Sequence, residues 1–387
     1  MTGVTHRPLV QRAVSQAGDP AWLITDYALV RTLLNEPRLV STHPEPEKAA
    51  RVSASVILGG PLPESPTEDV DHVRMRRALG RRYSTVALEA MRPRLQALVD
   101  ELLDRVAASP QPADFHEAVS YPLPALVICE LFGVPAADRD RFRRWSEDAG
   151  GMFDAERSFR GLMDLTGYLV GLVQDRLDEP RDDVVSDLAE AHRADPTGFT
   201  LESAAQLCAG LMFAGHETTV TAIDAGVVML ATNPDQRERL LAEPDLLPAA
   251  VEEILRVSVP RPTPAKPAPE EQSPGLPRWA KVDLDIDGVT VRQGELVLLG
   301  LQQANQDPAL VGERTGFVVD RAPNAHLTFG HGKHYCVGAS LARLELHLLF
   351  RALIERFPGM RLAVPVDELP AREDAVAGGL TALPVTW

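Results

Sequence analysis

Two stretches of this 387-residue chain hold the residue types that chemistry needs. One is Phe329-Gly330-His331-Gly332-Lys333-His334-Tyr335-Cys336-Val337-Gly338, which runs straight into an apolar helix-forming segment from Ala339 to Phe357. Its glycines allow tight turns at positive φ and a close approach to a flat partner, and the following helix turns the positive end of its dipole toward Cys336. A thiolate prepared in this way is a metal ligand. The other stretch is Ala214-Gly215-His216-Glu217-Thr218-Thr219, with Gly210 a turn earlier, in the middle of a long apolar run. A glycine, an acid and two β-branched alcohols are poor residues for a helix centre. They fit either a kink in which a threonine hydroxyl bonds to the preceding turn, or a groove. In the groove, Gly215 makes room for a ligand, Thr218 hydrogen-bonds it and Glu217 belongs to a proton route.

Cys336 is one of three cysteines, with Cys129 and Cys208, and no CxxC pair exists, so neither a disulfide framework nor a zinc ribbon is indicated. A lone cysteine suits an iron that a porphyrin already holds, onto which a thiolate pushes electron density. The formal charge of −16 disfavours nucleic acid or an anionic membrane as partner. No apolar run approaches the ~20 residues of a spanning helix and the first 20 residues lack a signal-peptide core, so a cytoplasmic protein without membrane attachment is expected. The absence of GxGxxG and GKS/GKT patterns argues against NAD or ATP held by the usual loops.

These stretches need a frame. Ala21 to Thr25 reads as a strand and Asp26 to Asn35 as a helix, and strand character returns at 282–299, where Val282 to Val291 alternates like a hairpin. Between them the pattern is almost wholly helical. A helix opens at Asp71 and carries His72 and Arg76 on one face, with Arg74, Arg77 and Arg81 pointing elsewhere. It fits either a solvated basic helix or a grip on an anion. Further helices are expected at about 85–108, 114–133, 137–150, 155–178 and 181–193. The longest starts at Thr200 as N-cap and stops at Asn233-Pro234. Pro248 opens another, on which Glu253 and Arg256 are spaced to pair. Seven prolines between Pro260 and Pro277 make that segment an extended loop.

Taken together, these motifs resemble those of the cytochrome P-450 superfamily, in its soluble bacterial haem-thiolate monooxygenase class. The haem-ligand pattern Phe-Gly-x-Gly-x-(Arg/His)-x-Cys-x-Gly is met by 329–338, with Ala342-Arg343 as its extension. Ala-Gly-x-(Asp/Glu)-Thr is met by 214–218, Glu-x-x-Arg by Glu253 and Arg256, and His-x-x-x-Arg by His72 and Arg76. The resemblance covers nearly the whole chain. It implies a mainly α fold with a small β region, with haem sandwiched between the long central helix and the Cys loop with the last helix. It further implies one domain over 1–387, with β-rich parts at about 20–60, 276–300 and the C-terminal end, and a helical core at about 72–258 and 339–357.

The resemblance also assigns roles. Cys336 becomes the axial thiolate of haem b, framed by Phe329 and Gly338. His72, Arg76, Arg278 and His334 contact the propionates, which need partners at the edge of an apolar pocket. His326 is a weaker candidate that also reads as a satisfied buried histidine. Thr218 hydrogen-bonds to dioxygen at the site and Glu217 relays protons. Glu253 and Arg256 are structural, and Arg314 is expected to join them, although the Phe-x-x-Pro-x-x-Phe segment is eroded here to Val311–Phe317.

The implied activity is insertion of one oxygen atom into an apolar small molecule, of natural-product (polyketide or peptide) type. The pocket would be lined by parts of 52–71, 150–182, 210–218, 278–299 and 376–383. The same motifs also serve an oxidase that closes rings or couples aryl groups without oxygen insertion. A non-catalytic haem sensor is a third possibility, against which Glu217 and Thr218 argue. No flavin or iron–sulfur motif is seen, so electrons are expected from a ferredoxin and its ferredoxin reductase, docking against Arg74, Arg77, Arg81, Lys333 and Arg343.

Overall fold

A computed structural model of the chain describes residues 8–53, 55, 59–150, 154–257, 275–372 and 379–387. The proline-rich segment up to residue 274, and residues 54, 56–58, 151–153 and 376–378 of the expected pocket lining, lie outside them. The β region is a five-stranded sheet in the order Val10–Val14, Pro20–Ile24, Leu296–Leu299, Leu276–Ala280, Leu39–Val40. Leu296–Leu299 runs parallel to Pro20–Ile24 and antiparallel to Leu276–Ala280, and all four of its residues are fully buried. An unbroken apolar run is what a strand covered on both faces requires. Its alternation sends Val297 and Leu299 into one apolar cluster with Trp22 and Ile24, and Leu296 and Leu298 into another with Leu23 and Trp279. The expected hairpin is present as Leu284–Ile286 paired with Val289–Val291. The strand Val10–Val14 was not expected, because its polar Gln11 and Arg12 interrupt the apolar pattern at the edge of the sheet.

The helical part follows the sequence closely. The central helix spans Leu201–Thr232, about 48 Å at 1.5 Å per residue. Thr200 caps it by accepting from the Ser203 N–H at 3.1 Å. The helix carrying His72 starts earlier than expected, at Glu68, and runs to Gly80. The expected helix at 114–133 is instead a single π-type turn, His116–Ser120, followed by Pro122–Phe132. The helix expected at 181–193 is Val184–Ala194, with Asp183 as its cap. The last helix, Ala339–Arg356, packs beside Thr85–Ala108.

What fixes the approach to the Cys loop is one buried carboxylate. Glu253, on the helix Leu247–Val257, takes Arg256 at 2.8 Å on both oxygens and Arg321 Nε at 3.0 and 2.9 Å. The excess positive charge is spread over backbone carbonyls: Arg256 donates to Asn305 and Gly316, and Arg321 to Val311 and Arg314. Val318 N–H and Asn324 Nδ2 also donate to Glu253. The Glu253–Arg256 pair is fully buried. One expectation is corrected: the second guanidinium belongs to Arg321, not Arg314, whose own side chain pairs with Asp320. One step further on, Asn305 accepts from Leu327 N–H at 2.6 Å and donates to Thr328, whose hydroxyl donates to Leu255 O at 2.8 Å. The segment therefore arrives at Phe329 already positioned.

Replacing Glu253 by Gln strands two buried guanidinium groups, which costs about 3–5 kcal/mol when a buried pair loses one partner. We expect a large fall in the urea unfolding midpoint for Glu253→Gln; a loss below ~1 kcal/mol would mean that the cluster is not what holds the segment.

Candidate active site between the Cys loop and the central helix

From Phe329 the chain turns on two left-handed glycines, Gly330 at φ 72° and Gly332 at φ 73°, and closes with Cys336 N–H donating to Phe329 O at 2.9 Å. At Gly332 a side chain would also collide with Asn35, whose Oδ1 lies 1.4 Å from the place a Cβ would take. Gly338 has an ordinary φ of −83° and serves instead as the cap of the last helix. Of the three cysteines, Cys129 and Cys208 are buried and burial pushes both thiols up, Cys129 to about 12. Cys336 is open, yet its sulfur is deeply surrounded, so the space it meets lies inside the protein. Burial pushes its thiol up. The amides of Gly338 and Ala339 and the charges of Arg76 and Arg343 oppose that and favour the thiolate.

The central helix has an open stripe in its middle. Leu207, Gly210, Leu211, Ala214, Gly215 and Thr218 are accessible at helical spacing, Ala214 and Thr218 most of all, whereas every residue from Thr219 to Leu230 is buried. Thr218 donates its hydroxyl to Ala214 O at 2.6 Å, so the bond to the preceding turn is real and its oxygen still faces the open side. At Gly215 a Cβ would lie 2.7 Å from Ile128 Cδ1, the tip of a side chain on the helix Pro122–Phe132, so this neighbour also uses the space the glycine leaves. Glu217 is buried and lies 3.3 Å from Arg372 Nη2.

The residues expected to hold propionates come together. The rings of His72 and His334 have centroids 4.6 Å apart. His334 is pushed down to about 4, first by burial and then by His72, Arg278, Lys333 and Arg76. His72 is lowered by burial and by Lys333 and Arg76, against Asp69 and Glu68. Arg278 is lowered by burial, and its hydrogen bond goes only to the carbonyl of Pro277, at 2.8 Å. Among the described residues no carboxylate pairs with Arg76 or Arg278. A group of mutually repelling basic side chains beside an open thiol is incomplete without an anion, and haem with its two carboxylates fits it.

Other expectations resolve differently. His326 is the satisfied buried histidine: it lies 3.2 Å from Glu252 and accepts from Thr328 N–H. Four of the five cations assigned to a docking surface are already paired. Arg74 bonds Asp71 and Asp195, Arg81 bonds Asp187, Lys333 bonds Asp69, and Arg343 takes both oxygens of Glu252 while lying 4.5 Å over the Phe329 ring. Arg77 alone of the five is exposed without a partner among the described residues. Three residues escaped the sequence reading. Arg321 and Arg372 sit in no motif, and nothing local separates them from other arginines. Glu345 in Leu344-Glu345-Leu346 could have been flagged, as an acid on the apolar face of a helix.

Comparison with known proteins agrees with this arrangement. The sequence profile of the cytochrome P-450 family matches residues 154–370. The chain is 38% identical to pentalenolactone synthase of Streptomyces exfoliatus, over 98% of this chain and 93% of that protein. It is equally 38% identical to mycinamicin IV hydroxylase/epoxidase of Micromonospora griseorubida, over 98% and 92%. The crystal structure of the mixed-function enzyme MycG superposes with a TM-score of 0.84 at 37% identity, covering 99% of this chain and 95% of the other. What fold and site define is a haem-thiolate oxygenase. The chain belongs to the cytochrome P-450 family: it is a monooxygenase, an oxidoreductase that uses haem, an apolar substrate and a redox partner. No helix among the described residues is long and apolar enough to cross a membrane.

Glu345 sets a pH dependence. It is wholly buried, Oε1 has no hydrogen-bond partner, and burial raises its carboxyl from an ordinary 4.5 to about 8. The folded state thus holds a proton that the unfolded chain has released. The stabilisation is complete below pH 4.5 and is lost as pH rises toward 8, at about 1.4 kcal/mol per unit. Urea unfolding measured from pH 5 to 8 should fall with that slope, and Glu345→Gln should flatten it; parallel curves for the two proteins would exclude this account.

Proposed function

We propose that Cys336 supplies the thiolate, that His72, Arg76, Arg278 and His334 bind the two propionates, and that Phe329 and Gly338 frame the sulfur. The observation that carries this reading is the open Cys336 near Arg76 and Arg278, which among the described residues pair with no carboxylate, and the histidines beside them. When bound, haem supplies the iron at which dioxygen is reductively activated for transfer of one oxygen atom to substrate. The protein's part is binding, orientation and proton handling. The loop fixes the sulfur by the Cys336–Phe329 backbone bond and aims two amides at it. Thr218 presents a hydroxyl whose proton is held by Ala214 O while its lone pairs remain available, and Glu217 next to it is the acid that supplies protons. The accessible part of the stripe is Leu, Ala and Gly apart from Thr218, which suits an apolar guest and keeps water scarce.

The substrate we assign is an apolar natural product of polyketide or peptide type, in a tailoring hydroxylation or epoxidation; the names of the two relatives support this class. A cytoplasmic location fits three cysteines without a paired motif. The chain forms one domain over 1–387 in this reading. A carbon-monoxide difference spectrum of the reduced protein tests the ligand: the red-shifted Soret band of a thiolate haem is expected, and Cys336→Ser should lose it. If the variant keeps the band, the ligand is elsewhere. With oxygen-18 gas and a surrogate reductase, label should appear in product; unlabelled coupled product would favour the oxidase instead.

A ferredoxin, reduced by its reductase, is the donor we assign. Because Arg74, Arg81, Lys333 and Arg343 are occupied, docking rests on Arg77 more than on the rest of the basic set. Arg77→Glu should slow ferredoxin-dependent reduction about tenfold at low salt and weaken its salt dependence, measured by stopped-flow. An unchanged rate would move the docking face.

A further inference from the structure

One face of the central helix is polar although it is buried. Glu217, Thr221 and Asp224 stand at i, i+4 and i+7, so they form a line two turns long, in a segment otherwise rich in Val, Ala and Ile. Thr221 donates its hydroxyl to Glu217 O at 3.0 Å. Two elements cover this line. The C-terminal segment brings Arg372 to Glu217, and the place of a Cβ on Gly379 lies 3.3 Å from Thr221 Oγ1. The π-type turn brings His116, whose Nδ1 lies 2.8 Å from Asp224 Oδ2.

The lower end of the line is unfinished. Asp224 Oδ1 and Ser120 Oγ are both buried, and among the described residues neither has a hydrogen-bond partner of ordinary geometry. Ser120 lies close enough to Asp224 that its hydroxyl favours the charged carboxylate as a hydrogen bond would, although neither atom meets ordinary hydrogen-bond geometry. Two orphaned polar atoms at one place, beside a buried ion pair, are the setting in which proteins hold internal water. On the outer side, half-buried Asp114 accepts the backbone N–H of His116 at 3.0 Å, and the neighbouring Glu117 is exposed.

We propose that a buried water joins Asp224 Oδ1 to Ser120 Oγ and that, with His116, it forms a station supplying protons to Glu217 past the Thr221 hydroxyl. This rests on Glu217 being the acid of the reaction. Each cycle moves one proton and no electrons. The protonated pair, imidazolium with carboxylate, releases a proton that ends on the Glu217 carboxylate, becomes neutral imidazole with carboxylate, and is refilled from solvent on the His116 side. Burial pushes His116 down, but the hydrogen bond and charge of Asp224, with Asp114, outweigh it and Arg372 opposes them, leaving it above its ordinary value; burial also pushes Asp224 up, against His116 and the Ser120 hydroxyl, so the pair holds a proton readily. The rings of Tyr121 and His216 are the other groups against this cluster, Tyr121 lying 5.7 Å from His116 and 4.9 Å from His216.

A high-resolution crystal structure of the haem-loaded protein should show a water within hydrogen-bond distance of both Asp224 Oδ1 and Ser120 Oγ, absent from Ser120→Ala. In the holoenzyme, Asp224→Asn and Ser120→Ala should keep the wild-type Soret band. They should slow reductase-driven dioxygen consumption by about tenfold and raise its solvent isotope effect. Ser120→Ala guards against a fold defect in the aspartate variant. The proposal is overturned if the density shows no water there, or if both variants keep the wild-type rate and isotope effect. Glu217→Gln, run alongside, separates the two levels: if it slows and the others do not, the station fails and Glu217 stands. If none slows, Glu217 is not the acid and both ideas fall.

Discussion

A single carboxylate shared by two guanidinium groups is the constraint on which the rest depends. Glu253 draws Arg256 and Arg321 into a buried region, and the surplus charge is tolerable only because backbone carbonyls from residues 305 to 316 turn toward it. Those carbonyls can do so in one arrangement of the segment. The consequence is mechanical: Asn305 and Thr328 then carry the fixed geometry to Phe329, and the Cys loop begins where the last helix can cap itself on Gly338. Stability and function thus share one buried network.

Much of the positive charge outside the site is paired. Arginines 74, 81, 82, 139, 176 and 343 all meet carboxylates. Among the described residues Arg76 and Arg278 meet none, and they stand with His72 and His334: Arg76 lowers the proton affinity of both imidazoles, and Arg278 that of His334. Unbalanced charge beside an open thiol locates a binding place more sharply than concavity alone would.

How much of this was legible in the sequence depends on the kind of residue. The Cys loop and the acid–alcohol pair could be picked out because their chemistry needs particular types at close spacing, whereas His72 and Arg76 lie far along the chain from Arg278 and His334, and the four were brought together only through the resemblance. The central helix was legible from its N-cap Thr200 and its stop at Asn233-Pro234. Arg321 and Arg372 were not, since a guanidinium reaches far enough that its partner can come from any later part of the chain. Gly215 was read for its missing side chain, but not for which neighbour uses the space; Ile128 lies on another helix, and that is tertiary information. The π-type turn at His116 carries no local signal that separates it from ordinary helix.

The contact between Asn35 and Gly332 has a consequence for how this enzyme could be altered. Position 332 is bounded twice, by its left-handed backbone and by an amide that arrives from just after the first helix of the chain. Asparagine or aspartate would meet the first condition and fail the second. Diversifying the thiolate loop by itself would therefore return glycine at 332 every time, whereas shortening Asn35 in the same library would open the position to residues that tolerate the turn. The β region and the iron-holding loop must be redesigned as one unit.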